Sequence, residues 1–177
     1  MGVLMRRVLH ELGIFDLLVA RPFRVKRQRV VREGELERSI VQAERSRSGA
    51  SSVLIVLDAD DDCPADLASH LLERARVQTN LPVRVVLAKV EIEAWILGAV
   101  DSLRGVRGIR DDAQPPPDPE AVRDAKGAIT RLMEGARGYV ATDDLPALVD
   151  AVDLKLAEER SPSFAKFRRD LESLGQV

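Results

Sequence analysis

Two aspartates two residues apart, at the end of an apolar run, define the chemistry within reach of this chain. The stretch Ser52-Val53-Leu54-Ile55-Val56-Leu57-Asp58-Ala59-Asp60-Asp61-Asp62 leads five apolar residues straight into four carboxylates. On an extended tip, Asp58 and Asp60 point the same way. Together they suit one hard divalent cation, Mg²⁺ or Mn²⁺. A second acidic stretch, Lys89-Val90-Glu91-Ile92-Glu93-Ala94-Trp95-Ile96-Leu97, follows the next apolar run. If both runs are parallel strands, Glu91 and Glu93 reach the same sheet edge as the aspartates, the edge where open α/β sheets place their sites. Glu93 then joins Asp58 and Asp60 as a metal ligand, or is a first-turn acid favoured by a helix dipole. Lys126 is either surface decoration or a lysine beside a metal–phosphate site.

The Asp-rich turn has other readings. It can be a helix cap followed by solvated acids. A calcium loop fits its first three ligand positions, but Cys63 stands where the sharp-turn glycine belongs and Ser69 where the bidentate glutamate belongs. A phosphatase-type nucleophilic aspartate fits the strand end but has no second motif. The stretch Arg21 to Arg32 alternates apolar and basic residues. It reads as an edge strand protected by charge, or as a basic loop whose Arg24, Lys26 and Arg27 contact a phosphate backbone.

The elements that must position these residues follow from periodicity. Val3, Leu4, Val8, Leu9 and Leu12 predict an opening helix ended by Gly13. Ile14 to Val19 is strand or helix. Glu33 to Ser48 predicts a helix with Leu36, Ile40 and Ala43 inward. The run before Asp58 predicts a strand buried on both faces. Pro64 opens a helix striped by Leu67, Leu71, Leu72 and Ala75, and Cys63 is expected to be a small packed residue. Leu81 to Ala88 is the next strand, and Trp95 a core anchor behind the site. A helix is expected from Pro119 or Glu120 through Lys126. Two more follow, over Asp143 to Leu156 and Ser163 to Leu174, the last capped by the Ser161-Pro162-Ser163 stretch with Phe164 and Phe167 inward. Helix–strand–helix–strand in mid-chain is the pattern of a parallel sheet.

The chain has 177 residues, 45% hydrophobic and 32% charged, enough for one domain with a real core. Aromatics are 3%, which argues against base-stacking platforms for single strands. Net charge is −2, but residues 1–50 carry 11 Lys/Arg against 6 Asp/Glu, so any nucleic-acid contact is a local patch. A single Cys excludes an internal disulfide and suits a reducing cytosol. No apolar run is long enough to span a membrane, so a cytoplasmic protein is expected. His10 and His70 are isolated, no Ser/His/Asp arrangement can be assembled, and GxxxxGK[ST] does not occur.

Four stretches together carry a resemblance: Leu57-Asp58-Ala59-Asp60-Asp61-Asp62-Cys63-Pro64, Ala88-Lys89-Val90-Glu91-Ile92-Glu93-Ala94-Trp95, Arg123-Asp124-Ala125-Lys126-Gly127 and Ser161-Pro162-Ser163-Phe164. From Val3 onward the chain resembles the bacterial family known as domain of unknown function 4276. That family is similar to Toprim domains, the metal-binding α/β fold of topoisomerases, primases and overcoming-lysogenisation-defect nucleases. The resemblance implies a Toprim-like (Rossmann-like) α/β core over residues 1–110, a mostly parallel sheet flanked by helices, and a helical extension over 111–177. It implies that Asp58 and Asp60 match the Toprim Asp-x-Asp motif, Glu93 an added metal ligand and Lys126 a transition-state lysine.

Toprim domains begin with a strand ending in a Glu-Gly turn, and that strand is missing here. Either the start lies at an internal Met or this version has lost a strand and a key carboxylate. The first is favoured, because losing a central strand would expose its neighbours' backbone groups. Glu11, Glu33 and Glu35 are poor substitutes. The expected function is a Mg²⁺-dependent nuclease or other phosphodiester-processing protein. The alternative is an inactive regulatory subunit that docks a partner such as an ATPase. A phosphotransferase using Asp58 as nucleophile is a third reading.

Overall fold

The structure, a computed structural model, describes residues 1–47 and 49–176. Helix α1 spans Gly2–Glu11, α2 Arg27–Val30 and α3 Glu35–Ser46. Strand β1 (Val53–Asp58), α4 (Pro64–Arg76) and β2 (Val83–Ala88) follow. Then come α5 (Glu93–Gly98), α6 (Ala125–Arg131), α7 (Ala141–Ala151), α8 (Leu154–Arg160) and α9 (Pro162–Gly175). The architecture is mixed α/β. Strands β1 and β2 pair in parallel, with Val53 opposite Val83 and Asp58 opposite Ala88. They form a two-stranded sheet among the described residues.

Alternation along these strands builds two cores, one per face of the sheet. Val53, Ile55 and Leu57 join Val83, Val85 and Leu87 against Leu36 and Ile40 of α3 and Leu71 and Ala75 of α4. Leu54 and Val56 join Val86 and Ala88 on the other face. There they meet Leu4, Val8 and Leu9 of α1, Trp95 of α5 and Phe164 and Phe167 of α9. Trp95 is the anchor expected of it. Its ring lies edge-on to Phe164 (centroids 5.4 Å apart) and stacks on Phe167 (5.2 Å). Its indole Nε1–H donates to Ser163 Oγ at 2.7 Å.

The helix predicted from Met1 and the strand ending at Asp58 form as expected. Gly13 ends α1 with φ +72°, where a side chain would be strained. Several local expectations do not hold. Strand β1 is half-buried along its whole length, whereas β2 is buried except at Arg84. β2 packs against β1, α4 and α9, while the far edge of β1 carries no ladder among the described residues. Ile14 to Val19 is irregular. Ile14, Leu17 and Val19 lean on the core while Phe15 and Leu18 face solvent, so neither a helical nor a strand period is satisfied.

Residues 21–26 lack regular structure, and the basic stretch turns helical at Arg27. The helix expected from Pro119 is two pieces. Asp118 caps a 3₁₀ turn over Pro119–Ala121, Val122 is extended, and Asp124 caps α6. The helix expected over 143–156 breaks at Val152. Asp153 then accepts the N–H groups of Lys155 and Leu156 and starts α8. Ser161 occupies the N-cap of α9 without a side-chain cap bond. Buried Glu120 instead accepts the Ser163 N–H at 2.9 Å. Cys63 is exposed, because the α4 stripe begins one turn later. Ser48, the last residue of the third predicted stretch, lies outside the described residues.

Candidate functional site

The parallel pairing brings the ends of β1 and β2 side by side, and the backbone continues that pairing into both loops. Ala59 N–H donates to Ala88 C=O at 2.8 Å and Asp60 N–H to Val90 C=O at 3.2 Å. Asp58 closes the join. Its Oδ1 accepts the Ile92 N–H at 2.8 Å, just where α5 starts. Between them Val90 adopts φ +63°, inside a tight turn in which Glu91 N–H reaches Lys89 C=O. A β-branched residue there is strained, and such strain gathers at functional sites.

The turn presents Glu91 and Glu93 to one lysine. Lys126 Nζ lies 2.7 Å from Glu91 Oε1 and 3.2 Å from Glu93 Oε2. Glu91 also fixes where that lysine starts. Its Oε2 accepts the N–H groups of Ala125 and Lys126, the first turn of α6. Gly127 is required beside them, since a Cβ there would overlap the Asp124 carboxylate that caps the helix. Glu93 opens α5 and is only 4% exposed. Its second oxygen, Oε1, accepts the Tyr139 hydroxyl at 3.2 Å. Behind Tyr139, fully buried Asp144 accepts from Arg107, Arg137 and the Val140 N–H. Burial opposes its charge, but these donors hold its carboxyl below the usual range.

Three carboxylates thus face one ammonium, and the local charge is negative. Burial first, then the charges of Glu93 and Glu91, push the Asp58 carboxyl up from 3.8 to about 6, against the Ile92 N–H and Lys126. Burial works against the charge on Lys126, yet its contacts with Glu91 and Glu93 raise it above an ordinary lysine. Burial and the neighbouring Glu93 charge push the Tyr139 phenol up as well, so it stays a hydrogen-bond donor.

The Asp58 shift has a sign that can be tested. A carboxyl raised on folding leaves stability untouched below pH 3.8, where both states are protonated. Stability then falls as pH climbs through about 6. Asp58→Asn keeps an oxygen for the Ile92 N–H and removes the charge. It is expected to stabilise the protein at pH 7.5 by up to about 3 kcal/mol, with the gain vanishing near pH 4. Denaturant unfolding at the two pH values checks this, and a destabilised variant at pH 7.5 would contradict it.

The structure gathers Asp58, Glu93 and Lys126 and leaves Asp60 aside. Asp60 takes φ +50°, so the two aspartates do not continue one extended tip. Its carboxylate meets Arg27 Nε at 3.2 Å. Arg27 also donates to the carbonyls of Asp58 (2.9 Å) and Ala59 (3.0 Å) and pairs with Asp62. It clamps the acidic loop. Arg24 and Lys26 are exposed and have no ion pair among the described residues. Glu91 enters the cluster as the shared sheet edge suggested. Tyr139, the only tyrosine of the chain, comes from a Gly-rich stretch that gave no signal.

Among the described residues, no three or more His, Cys, Asp and Glu side chains are gathered as ligands for a metal ion. The donor types at the cluster are nonetheless hard oxygens, the kind that Mg²⁺ or Mn²⁺ prefers. No helix among the described residues is long and apolar enough to cross a membrane. No curated protein and no solved structure matches the chain. The family described as a domain of unknown function (DUF4276) matches residues 2–172, and the chain belongs to that family.

Proposed function

We propose that this member of the domain of unknown function 4276 family is a metal-assisted phosphodiester-processing protein, a nuclease in reaction class, on a Toprim-like sheet. The observation that carries the reading is that Asp58, at the end of β1, feels the charges of Glu93, which opens α5 beyond β2, and of Lys126, whose Nζ lies 3.2 Å from Glu93 Oε2. Asp58 and Glu93 would hold Mg²⁺ or Mn²⁺, which when bound would polarise the scissile phosphate and activate water. Asp60 would join only on release from Arg27. Lys126, part-exposed above Glu93, offers its ammonium to a phosphate oxygen. Tyr139 keeps Glu93 oriented by donating to Oε1. Arg24 and Lys26, free of acidic partners among the described residues, grip the phosphate backbone, and Arg27 holds the acidic loop in place.

Titrating Mg²⁺ into the protein while following the Asp58 carboxyl by NMR tests the reading without an activity assay. Its midpoint is expected to fall from about 6 as the cation adds positive charge. Nicking of plasmid DNA should follow in the same buffer and be lost in Glu93→Gln. An Asp58 midpoint indifferent to Mg²⁺, with no cleavage in Mg²⁺ or Mn²⁺, would reject the assignment.

A second reading is favoured by one observation. An ammonium already bridges Glu91 and Glu93, and Asp60 is tied to Arg27. Such a site suits an inactive subunit that docks a partner, an ATPase being the kind the Toprim resemblance suggests. Stable association without cleavage under any divalent cation would select it.

A further inference from the structure

Glu93 opens a helix of six residues, all of them buried. A helix that short has little stability of its own, so what it rests on dictates its direction. α5 packs against α6, α8 and the 3₁₀ turn over Pro119–Ala121. Where α5 ends, the Gly98 carbonyl accepts from Arg160 Nη1 at 2.9 Å, and the same nitrogen donates to Asp101 Oδ1 at 2.8 Å. Gly98 also lies so close to buried Ser161 that a Cβ there would stand 2.9 Å from the hydroxyl oxygen. Nearer the start of α5, the Trp95 indole N–H donates to Ser163 Oγ. The junction of α8 and α9, residues 160–163, is thus a seat for α5.

Ser163 joins this seat to the turn ahead of Glu93. A hydroxyl has one hydrogen to donate and two lone pairs to accept with. The hydrogen goes to Glu120 Oε1 at 2.6 Å. The lone pairs take the indole N–H of Trp95 and, at a longer 3.4 Å, the backbone N–H of Lys89. Lys89 begins the strained turn through Val90, and Trp95 lies two residues beyond Glu93. One oxygen therefore touches the chain on both sides of the carboxylate. Glu120 keeps the serine in place, because the same Oε1 accepts the Ser163 N–H at 2.9 Å. Of the four stretches singled out in the sequence, Ser161 to Phe164 is the one that supplies nothing to the carboxylate cluster itself.

We propose that Ser163, held by Glu120, is a positioning residue for Glu93. Through Trp95 and Lys89 it sets where that carboxylate stands when it meets Lys126 and Tyr139. The inference rests on the role proposed for Glu93 at the site. Its readouts are signals of the protein alone and need no turnover.

The chain has one Trp and one Tyr, so the Trp95 indole N–H and the hydroxyl-bearing Cζ of Tyr139 are single NMR signals. The first reports the seat. The second reports Glu93, because the Tyr139 hydroxyl donates to its Oε1. Chemical shifts belong to the folded state, so a loss of stability alone moves neither. Ser163→Ala is expected to move the indole signal toward that of an unbonded indole and to shift Tyr139 Cζ with it. Ser163→Thr, which keeps a hydroxyl, should return both signals to their parental positions. Trp95→Phe keeps most of the ring packing and removes the donor. It should shift Tyr139 Cζ in the same sense, and it decides the matter if Ser163→Ala does not fold. Three results would overturn the proposal. Tyr139 Cζ could stay in place while the indole signal moves, which would leave the placing of Glu93 to Lys126. The indole signal could ignore Ser163→Ala. Ser163→Thr could behave as Ser163→Ala does. Failure of the nuclease reading looks different: the parent protein neither responds to Mg²⁺ nor cleaves, while these shifts occur as expected.

Discussion

Lys126→Met is expected to lower stability by about 1–3 kcal/mol at pH 7.5, and to abolish any phosphodiester cleavage the protein performs. Glu93 is buried and Glu91 half-buried, so removing their shared ammonium leaves two carboxylates in a poorly hydrated place. The lysine is 43% exposed, and water can enter when it goes. That keeps the cost below the value for a fully enclosed ion pair. A second readout separates this role from a merely structural one. Lys126 helps hold Asp58 ionised, so the Asp58 midpoint should rise above its starting value of about 6 in the variant. Denaturant unfolding and carboxyl NMR measure the two effects. A variant as stable as the parent, with Asp58 unmoved, would return Lys126 to the rank of surface decoration.

Trp95→Ala is expected to cost about 3–5 kcal/mol, much of the stability of a domain this size. The indole is fully buried, packs on two phenylalanines and donates to Ser163. Its loss opens a cavity where α5 meets α9. Ser163 in turn donates to Glu120, so the substitution also loosens a carboxylate buried beside the α9 start. Trp95→Phe should recover most of the packing and leave a deficit of about 1 kcal/mol for the missing N–H donor. Thermal unfolding of both variants checks this. A Trp95→Ala protein within about 1 kcal/mol of the parent would mean that the core closes up around the gap.

Much of this was legible in the residues themselves. The stripe in the opening helix, the apolar run before Asp58 and the buried Trp95 follow from periodicity and composition, which respond to burial. The shared edge of Asp58 and Glu93 follows from topology, because parallel strands must end together. What stayed hidden depends on contacts distant in sequence. Nothing local indicates that Arg27 reaches across 31 residues to the Asp58 carbonyl, or that Tyr139 finds Glu93. Asp58 and Asp60 look equivalent in spacing. A positive φ at Asp60 and the pull of Arg27 separate them. An apolar stripe runs through the break between α7 and α8 and hides it, and only the Asp153 cap marks it. The capping of α9 by Glu120 was equally invisible, since Ser161 occupies the expected position.

The two cores on opposite faces of the sheet also bear on the order in which the molecule assembles. The core of α3, β1, α4 and β2 draws on one unbroken run of chain, from Val25 to Leu87. The other unites Leu4, Val8 and Leu9 with Phe164, Phe167 and Leu171 near the opposite end. Contacts close in sequence form with little loop entropy, while those joining distant segments must wait. During synthesis the first core has all its parts once β2 has left the ribosome. Helix α1, made before that core, keeps part of its apolar stripe uncovered until α7 and α9 arrive. The stripe of α1 is therefore among the last surfaces to be buried, and the nascent chain depends in that interval on whatever shields α1 from other chains.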